Sequence, residues 1–334
     1  MEHGSRHVTS GQTTTRTERA DRTDIAGPAF SGPTLTTAVL DAIAEHTAGR
    51  ADHTDRPAVI DTTDGRSLTY AEITSVVPTA GAGLARRGVR TGDIAAVLVP
   101  CAREFTLAVH ALAAAGAVPA PLPPEATADE LADLLTGCGA RLLVTAPPLG
   151  EVALAAADSS YVRQVFAFGD VPGATPFGEL LRGGGPQPHI DPLHDHALIQ
   201  PTTDPPERLT HADRLADMYR LAAAVTIDAD DVVVAAAAGC PEATWAGLID
   251  VALVRGATFA AVTRPGAAPL LRAIETYGAT LVIVSPATLQ TLAFDGAFAP
   301  ITAGPLRLLT TGPAPLEAVR ACRRRYEWSI DTLA

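Results

Sequence analysis

Lysine and asparagine are both absent from this chain of 334 residues, so all 25 basic residues are arginine. Codon bias in a GC-rich genome is a sufficient reason, but the chemical consequence holds whatever the cause. No side-chain amine is available to form a Schiff base, and none can act as a compact cation against a phosphate group. Arginine can bind phosphate, but it does so through a wider planar fork.

Positive charge as a whole is also in deficit, with a formal net charge of −12 and a pI of about 5.1. Because no basic face is in surplus to neutralise phosphates, the composition excludes a general nucleic-acid-binding protein. The chain has no apolar run of the ~18 residues that a membrane span needs. Its N-terminus lacks the apolar core of a signal peptide. We therefore expect neither a nucleic-acid nor a membrane partner.

Cysteine is scarce, and its four residues lie far apart with no C-x-x-C pair: Cys101, Cys138, Cys240 and Cys322. This spacing favours a reduced, cytoplasmic protein over a disulfide framework or a zinc site. Three histidines lie near the middle of the chain, at positions 189, 194 and 196, but no further ligand follows at regular spacing. We predict no metal site.

Residues 1–33 are polar and aperiodic, which predicts a disordered tail. From residue 34, apolar strands alternate with helical segments, and a stretch rich in Gly and Pro at 182–195 is the best linker candidate. Two capping boxes, Thr69 with Glu72 and Thr127 with Glu130, mark helix starts. The predicted strands lie at 58–61, 94–99, 141–145, 164–168, 197–200, 231–237, 257–262, 280–284 and 306–311, and a short extended piece is predicted at 117–122.

This alternation is typical of parallel strands that are buried on both faces. The predicted fold class is therefore α/β, with two doubly wound lobes at 34–190 and 191–334 that together form one domain. Ligands of such folds bind beyond the carboxyl ends of the strands. The loop at 200–208 lies in such a place, after a strand and before a helix.

Five phrases follow one another along the chain: RPAVID…GRSLTYAEI from residue 56, GLARRG…RLLVT from 83, LVRGATFAAVTRP from 253, ETYGATLVIVSPATLQTLA from 275 and LRLLTTGPAPLEAV from 306. Together they resemble the acyl-adenylate-forming (AMP-binding) enzymes, closest to the 4-coumarate–CoA ligase-like acid–CoA ligases, over residues 34–334. The resemblance implies the fold of their large N-terminal domain. It also implies ATP and magnesium as cofactors, a carboxylic acid as substrate, and CoA or a carrier thiol as acyl acceptor.

The phosphate loop of that family has the form S-S-G-T-T-G-x-P-K-G and is followed by L-T-H. Here Thr202 and Thr203 match its two threonines, Pro206 matches its proline, and residues 209–211 match the exit. Arg208 stands in place of the last glycine. The resemblance therefore makes Thr202, Thr203 and Arg208 candidate remnants of an ATP site.

The same loop has lost every glycine of the family pattern. Pro201 and Asp204 flank the threonines, Glu207 stands where the lysine belongs, and Pro205 adds a second residue without an N–H group. Each carboxylate held 4 Å from a phosphate charge costs about 4 kcal/mol at an effective dielectric constant of ~20, before screening. We expect ATP and magnesium to bind weakly or not at all, with Arg208 compensating only in part.

A second phrase, TTGPAPLE at 310–317, resembles the turn that lines the adenine and acyl pockets of the family. Gly312, Ala314 and Pro315 are therefore further candidates for binding AMP or ATP. A turn that needs glycine and proline for its backbone geometry alone is the alternative, and the sequence leaves both open.

Two further departures concern the reaction itself. Where the family has a Phe-His pair close to the reacting carboxylate, this chain has Ala243 and Thr244, and Trp245 beside them is either a pocket wall or part of the core. The sequence ends at YEWSIDTLA, ahead of the family's Y-G-x-T-E motif. We therefore predict no catalytic residue, an incomplete second lobe and an absent C-terminal domain. The second sheet would have an open edge unless a partner chain covers it.

Three functional hypotheses follow. The first is a truncated, degenerate acid–CoA ligase-like domain, a pseudoenzyme without adenylation activity by itself, which binds a carboxylic acid, an acyl-CoA or a partner protein. The second is a functional or split acid–CoA ligase that needs a second chain for its C-terminal domain. The third is a decayed reading frame without a role. Binding of ATP, release of pyrophosphate with a partner chain, and solubility discriminate among them.

Overall fold

Two largely parallel β-sheets and ten α-helices make up the described part of the chain. The computed structural model describes Met1 and residues 32–48, 54–185, 188–295 and 306–333. The predicted disordered tail at 1–33 therefore lies almost wholly outside the described residues. From Gly32 onwards the chain forms one compact unit. No helix in the described ranges is long and apolar enough to cross a membrane.

Fourteen strands form the sheets and one separate hairpin. They are β1 (Pro57–Asp61), β2 (Ser67–Thr69), β3 (Ile94–Leu98), β4 (Val118–Pro121), β5 (Leu142–Thr145), β6 (Gln164–Ala167), β7 (Thr175–Pro176), β8 (His196–Gln200), β9 (Glu207–Thr210), β10 (Val232–Ala236), β11 (Thr258–Val262), β12 (Leu281–Val284), β13 (Arg307–Thr310) and β14 (Ser329–Thr332). The large sheet has the order β14-β13-β12-β10-β11-β1-β2, and the small sheet has the order β4-β3-β5-β6-β7. Every pairing within the sheets is parallel except that of β1 with β2.

The helices connect these strands and cover both sheets. They are α1 (Leu35–Thr47), α2 (Tyr70–Arg86), α3 (Ala102–Ala114), α4 (Ala128–Cys138), α5 (Gly150–Asp158), α6 (His211–Ala224), α7 (Glu242–Arg255), α8 (Ala267–Tyr277), α9 (Pro286–Phe294) and α10 (Leu316–Tyr326). The α/β class and the doubly wound sheets predicted from the sequence are confirmed. The two predicted capping boxes are also present, because Thr69 accepts from the Glu72 N–H and Thr127 from the Glu130 N–H.

The core consists of three apolar clusters arranged in layers. The largest cluster lies between the inner faces of the two sheets, with Val97 from the small sheet and Phe259 from the large one, and helices α2, α3 and α7 fill this layer. A second cluster covers the outer face of the large sheet under α8, α9 and α10. A third covers the outer face of the small sheet under α4 and α5. Burial on both faces explains why the sequences of the central strands are continuous apolar runs.

Sheet membership does not follow the predicted lobe boundary at residue 190. Strands β1 and β2 come from the first half of the chain but belong to the large sheet, where β1 pairs with β11 through Val59 and Phe259. Four strands lie outside the ranges predicted from the apolar pattern, namely β2, β7, β9 and β14. β9 pairs with β8 in an antiparallel hairpin, and β14 pairs with β13 at the edge of the large sheet. Both are short and largely polar, so their apolar pattern is too weak to mark them.

Candidate functional site

The loop that resembles a phosphate-binding loop is the tip of the hairpin formed by β8 and β9. Gln200 and Glu207 form the last pair of the ladder, and residues 201–206 make the turn. The Gln200 side-chain amide donates to the Glu207 carboxylate across the neck of the turn. Thr202, Thr203 and Arg208 are all exposed. The three hairpin candidates are therefore close together in sequence and in space.

Hydrogen bonds within the turn already use the hydroxyl group of Thr203. This group donates to the Gln200 carbonyl at 2.9 Å and accepts from the Glu207 N–H at 2.7 Å. Pro201 and Pro205 contribute no N–H groups. The exposed acidic side chains of Asp204 and Glu207 lie on the same turn. The hairpin thus presents two carboxylates and few free donors.

The exit of the hairpin is a helix start. Thr210 is the N-cap of α6 and forms a capping box with Asp213, which the sequence did not predict as such. His211 follows in the first turn and is 1% exposed, and its Nδ1 accepts from the Leu35 N–H at 3.2 Å. The match to the family's L-T-H therefore anchors α6 to the start of α1.

The second group of candidates lies in the turn between β13 and α10. Pro315 is the N-cap residue of α10, and its carbonyl accepts from the Val319 N–H at 3.1 Å. Ala314 packs against the outer apolar cluster of the large sheet. A Cβ atom built on Gly312 would meet only Pro286, at 3.8 Å, and Gly312 has no positive φ. Local geometry therefore does not require glycine at 312.

No hydrogen bond or salt bridge joins the hairpin candidates to Gly312, Ala314 or Pro315 within the part of the chain that the structure describes. A cavity elsewhere in the fold is a candidate binding site. A cavity of about 1130 Å³ opens at the carboxyl ends of strands from both sheets. Its walls come from the segments that follow β1, β3, β4, β5, β6, β10 and β11. This is the place where parallel α/β sheets bind ligands.

Trp245 lines this cavity, together with Cys240 and Glu242 at the start of α7. The Trp245 ring is 8% exposed and packs edge-on against Phe259, with ring centroids 5.3 Å apart. Trp245 was expected to be either a pocket wall or part of the core. It is both, because it contacts the core and also faces the cavity. None of the six candidate nucleotide residues lines the cavity.

A cluster of polar groups forms one wall of the cavity, where β1 meets the start of α3. The Asp61 carboxylate accepts from the N–H groups of Ala102 and Arg103, at 2.9 and 3.3 Å, and so caps the helix. Arg103 Nε lies 3.7 Å from the same carboxylate, and Arg103 Nη2 lies 3.9 Å from Glu104. Burial raises the pKa of both Asp61 and Glu104, and hydrogen bonds oppose this effect.

The two thiols of the cavity are not activated. Burial raises the pKa of Cys101 far above its usual range, and the charges of Asp61 and Glu104 raise it further. Burial together with Glu242 raises the pKa of Cys240 to about 12. Because the thiolate is the reactive form, neither cysteine is a nucleophile near neutral pH.

Sequence reasoning missed Asp61, Cys101 and Arg103 as parts of a site. The available signal was their position, since Asp61 ends one parallel strand and Cys101 and Arg103 begin the helix after another. No group of three or more His, Cys, Asp or Glu side chains arranged for a metal ion occurs among the described residues.

Comparison with known proteins agrees with this geometry. Residues 45–203 match the family model of the AMP-binding enzyme. The chain is also 31% identical over 321 residues to the salicyl-AMP ligase / salicyl-S-ArCP synthetase of Mycobacterium tuberculosis, covering 89% of this chain and 54% of that protein. The N-terminal region of the chain is an AMP-binding domain. The resemblance found in the sequence is thereby confirmed.

Other proteins match to a similar extent. The feruloyl-CoA synthase of Amycolatopsis sp is 28% identical over 267 residues, which are 78% of this chain and 52% of that enzyme. The apo structure of Mycobacterium smegmatis MbtA superposes with a TM-score of 0.72 at 27% identity, over 88% of this chain and 55% of MbtA.

The N-terminal domain of FACL13 from Mycobacterium tuberculosis shares the fold, with a TM-score of 0.75 at 18% identity over 90% of this chain and 75% of that one. The chain spans about half the length of the salicyl-AMP ligase and the feruloyl-CoA synthase.

Proposed function

We propose that this chain is a degenerate AMP-binding domain of the acid–CoA ligase type that forms no acyl-adenylate by itself and binds an acyl compound or a partner protein. The main support for the proposal is the hydrogen bonding and charge of the hairpin tip. The Thr203 hydroxyl is engaged within the turn, and Glu207 stands where the family has a lysine. ATP and magnesium are the cofactors of the family, and we propose that this chain binds them weakly or not at all.

The residues of the hairpin do not fit a triphosphate. A phosphate-binding loop needs backbone N–H groups turned toward the ligand and a cation beside it. Here the two prolines at 201 and 205 supply no N–H, and Asp204 and Glu207 add negative charge. Arg208 is the one cation in the segment 200–208, and it lies in β9 opposite Ile199.

A binding role is supported by the intact cavity. Its walls come from segments that follow strands of both sheets, and the aromatic ring of Trp245 is held by Phe259. The intact fold also argues against a decayed reading frame, because buried strands and capping boxes are kept throughout the described ranges. The four cysteines are free thiols, which supports a reduced, cytoplasmic setting.

A functional or split acid–CoA ligase is the second candidate, and the matches to a salicyl-AMP ligase and a feruloyl-CoA synthase favour it. In the split form, a second polypeptide supplies the parts of those relatives that lie beyond the match. In this case the hairpin would still have to hold ATP once the second chain is present.

Exchange of pyrophosphate into ATP tests the proposal. The chain alone is incubated with MgATP, labelled pyrophosphate and one of salicylate, ferulate, 4-coumarate or octanoate. We expect exchange at the level of the enzyme-free blank with every acid, because no triphosphate is held for attack on its α-phosphate.

The salicyl-AMP ligase of Mycobacterium tuberculosis serves as the positive control in the same assay. A second arm adds the C-terminal part of that ligase, which this chain does not match, as a separate polypeptide. Exchange by the chain alone would refute the proposal, and exchange only in the second arm would establish the split-enzyme alternative.

A further inference from the structure

The cavity at the carboxyl ends of the strands has no ligand class assigned by the motifs of this chain. Its volume of about 1130 Å³ exceeds what a single aromatic acid needs, since ligand sites of about 300–1,000 Å³ hold drug-sized molecules. The candidate nucleotide residues lie elsewhere, on the hairpin and in the turn after β13. The chemistry of the cavity wall therefore has to identify the ligand.

Apolar side chains form most of that wall, and packing fixes several of them. They include Val99, Leu122, Leu149, Phe168 and Trp245. The Phe168 ring stacks on Phe177 with centroids 4.1 Å apart and planes at 23°. Rings held in this way present a rigid apolar surface, which suits an alkyl or aryl group.

The charged side chains of the wall are mostly acidic. Five carboxylates and three guanidinium groups line the cavity, leaving a net charge of −2: Asp61, Asp64, Glu104, Glu125 and Glu242 against Arg66, Arg103 and Arg264. An anionic ligand in this cavity meets net repulsion, which is stronger near apolar walls than in water.

The helix end that would favour an anion and one of the three cations, Arg103, are already engaged, whereas the side chains of Arg66 and Arg264 are exposed to solvent, which screens their charge. Arg103 lies between Asp61 and Glu104, at 3.7 and 3.9 Å. The first N–H groups of α3 are taken by the Asp61 carboxylate. A helix N-terminus binds anions through such N–H groups, so this one has no donors left for a ligand.

From these observations we infer that the cavity selects an uncharged acyl or aryl compound, such as an amide or ester, over the free carboxylate and over CoA thioesters. The inference rests on the proposed binding role and deepens it by naming the ligand class. It is also at variance with the carboxylic acid or acyl-CoA ligand expected from the family resemblance.

Pairs of ligands that differ only in charge test this selection. Octanamide is compared with octanoate, and salicylamide with salicylate, by isothermal titration calorimetry at pH 7.5 without nucleotide. We expect each amide to bind about tenfold more tightly than its acid or better, because one like-charge contact is removed. Acetyl-CoA is expected to give no measurable heat.

Two tryptophan variants locate the binding. Ala238→Trp fills the cavity and is expected to abolish binding of both amides. Ala224→Trp places the same ring on the exposed end of α6 and should leave binding unchanged. Circular dichroism confirms that each variant is folded, and the comparison on the native chain does not depend on either.

Charge reversal tests the cause of the selection. The double variant Glu125→Arg and Glu242→Arg changes the net charge of the lining from −2 to +2 and should reverse the preference toward the acids. The matched variant Glu151→Arg and Glu275→Arg makes the same change on surfaces outside the cavity and should leave the preference intact.

Tighter or equal binding of the acids by the native chain, or no binding of any amide, would overturn the inference. Unchanged binding in Ala238→Trp would overturn it as well. Because these titrations contain no ATP, their failure is separate from any result of the pyrophosphate exchange assay.

Discussion

Replacing Asp250 by asparagine is expected to lower the free energy of unfolding by about 3–5 kcal/mol, because it leaves a buried guanidinium group without its counter-charge. Asp250 lies on α7 and is 2% exposed. Its carboxylate is 2.7 Å from Arg214 Nη2 on α6 and 3.2 Å from His110 Nε2 on α3. His110 Nδ1 in turn lies 3.3 Å from the Thr36 hydroxyl on α1. One carboxylate thus joins four helices of the central layer.

The guanidinium group of Arg214 has little else to compensate its burial. Its Nη1 donates to the Ala243 carbonyl at 3.2 Å, and its Nε has no hydrogen-bond partner. Urea unfolding followed by circular dichroism measures the loss. The matched control is Asp217→Asn, since Asp217 forms an exposed i,i+3 pair with Arg220, and such pairs contribute only about 0–1 kcal/mol.

Removing both charges together shows whether the unpaired buried charge causes the loss of stability. The double variant Arg214→Met with Asp250→Leu should be more stable than Asp250→Asn, because no charge is left buried and unpaired. If Asp250→Asn is no less stable than Asp217→Asn, the network does not carry the stability that we assign to it.

Acidification from pH 6.5 to 4 is expected to cost the folded chain about 3 kcal/mol through His211 alone. Burial lowers the pKa of His211 from 6.5 to about 4. Between these two values the unfolded chain binds a proton that the folded chain does not. The contribution is therefore fully present above pH 6.5 and is lost as the pH falls toward 4.

The geometry explains why the neutral ring is required. His211 Nδ1 accepts from the Leu35 N–H at the start of α1, so a proton on Nδ1 would remove the acceptor. His211→Gln keeps an acceptor but does not titrate. The difference in unfolding free energy between the native chain and this variant, measured from pH 7 to 4, isolates the effect from that of the carboxylates. A native chain whose stability runs parallel to that of His211→Gln between pH 6.5 and 4 would contradict the assignment.

Local signals in the sequence predicted much of this fold. The capping boxes at Thr69 and Thr127 were readable because both partners lie within three residues of each other. The buried parallel strands were readable because burial on both faces demands a continuous apolar run. These features depend on neighbours along the chain, and so a single sequence contains them.

Features that join distant segments could not be predicted from the sequence. The pairing of β1 with β11 links residues about 200 positions apart, and nothing in PAVID marks its partner. The cavity is assembled from seven segments whose polar residues look ordinary one by one. Asp250, Arg214 and His110 likewise gave no sign in the sequence that they meet.

The candidate site also has features that the sequence predicted and features that depend on the fold. The threonines and acids of the hairpin could be read against the family pattern because they lie in one short loop. That the Thr203 hydroxyl is used up within the turn depends on the fold of the hairpin, including the unpredicted strand β9. The residues of the turn after β13 keep their place in the fold, and their role in binding remains a prediction.

Titration of the native chain with MgATP by calorimetry tests the central claim most directly. A variant in which residues 200–208 are replaced by a loop of the form S-S-G-T-T-G-x-P-K-G serves as the control and should gain affinity. We predict a dissociation constant weaker than about 1 mM for the native chain, because it lacks the lysine and adds two carboxylates. Micromolar binding of MgATP to the native chain would contradict the account.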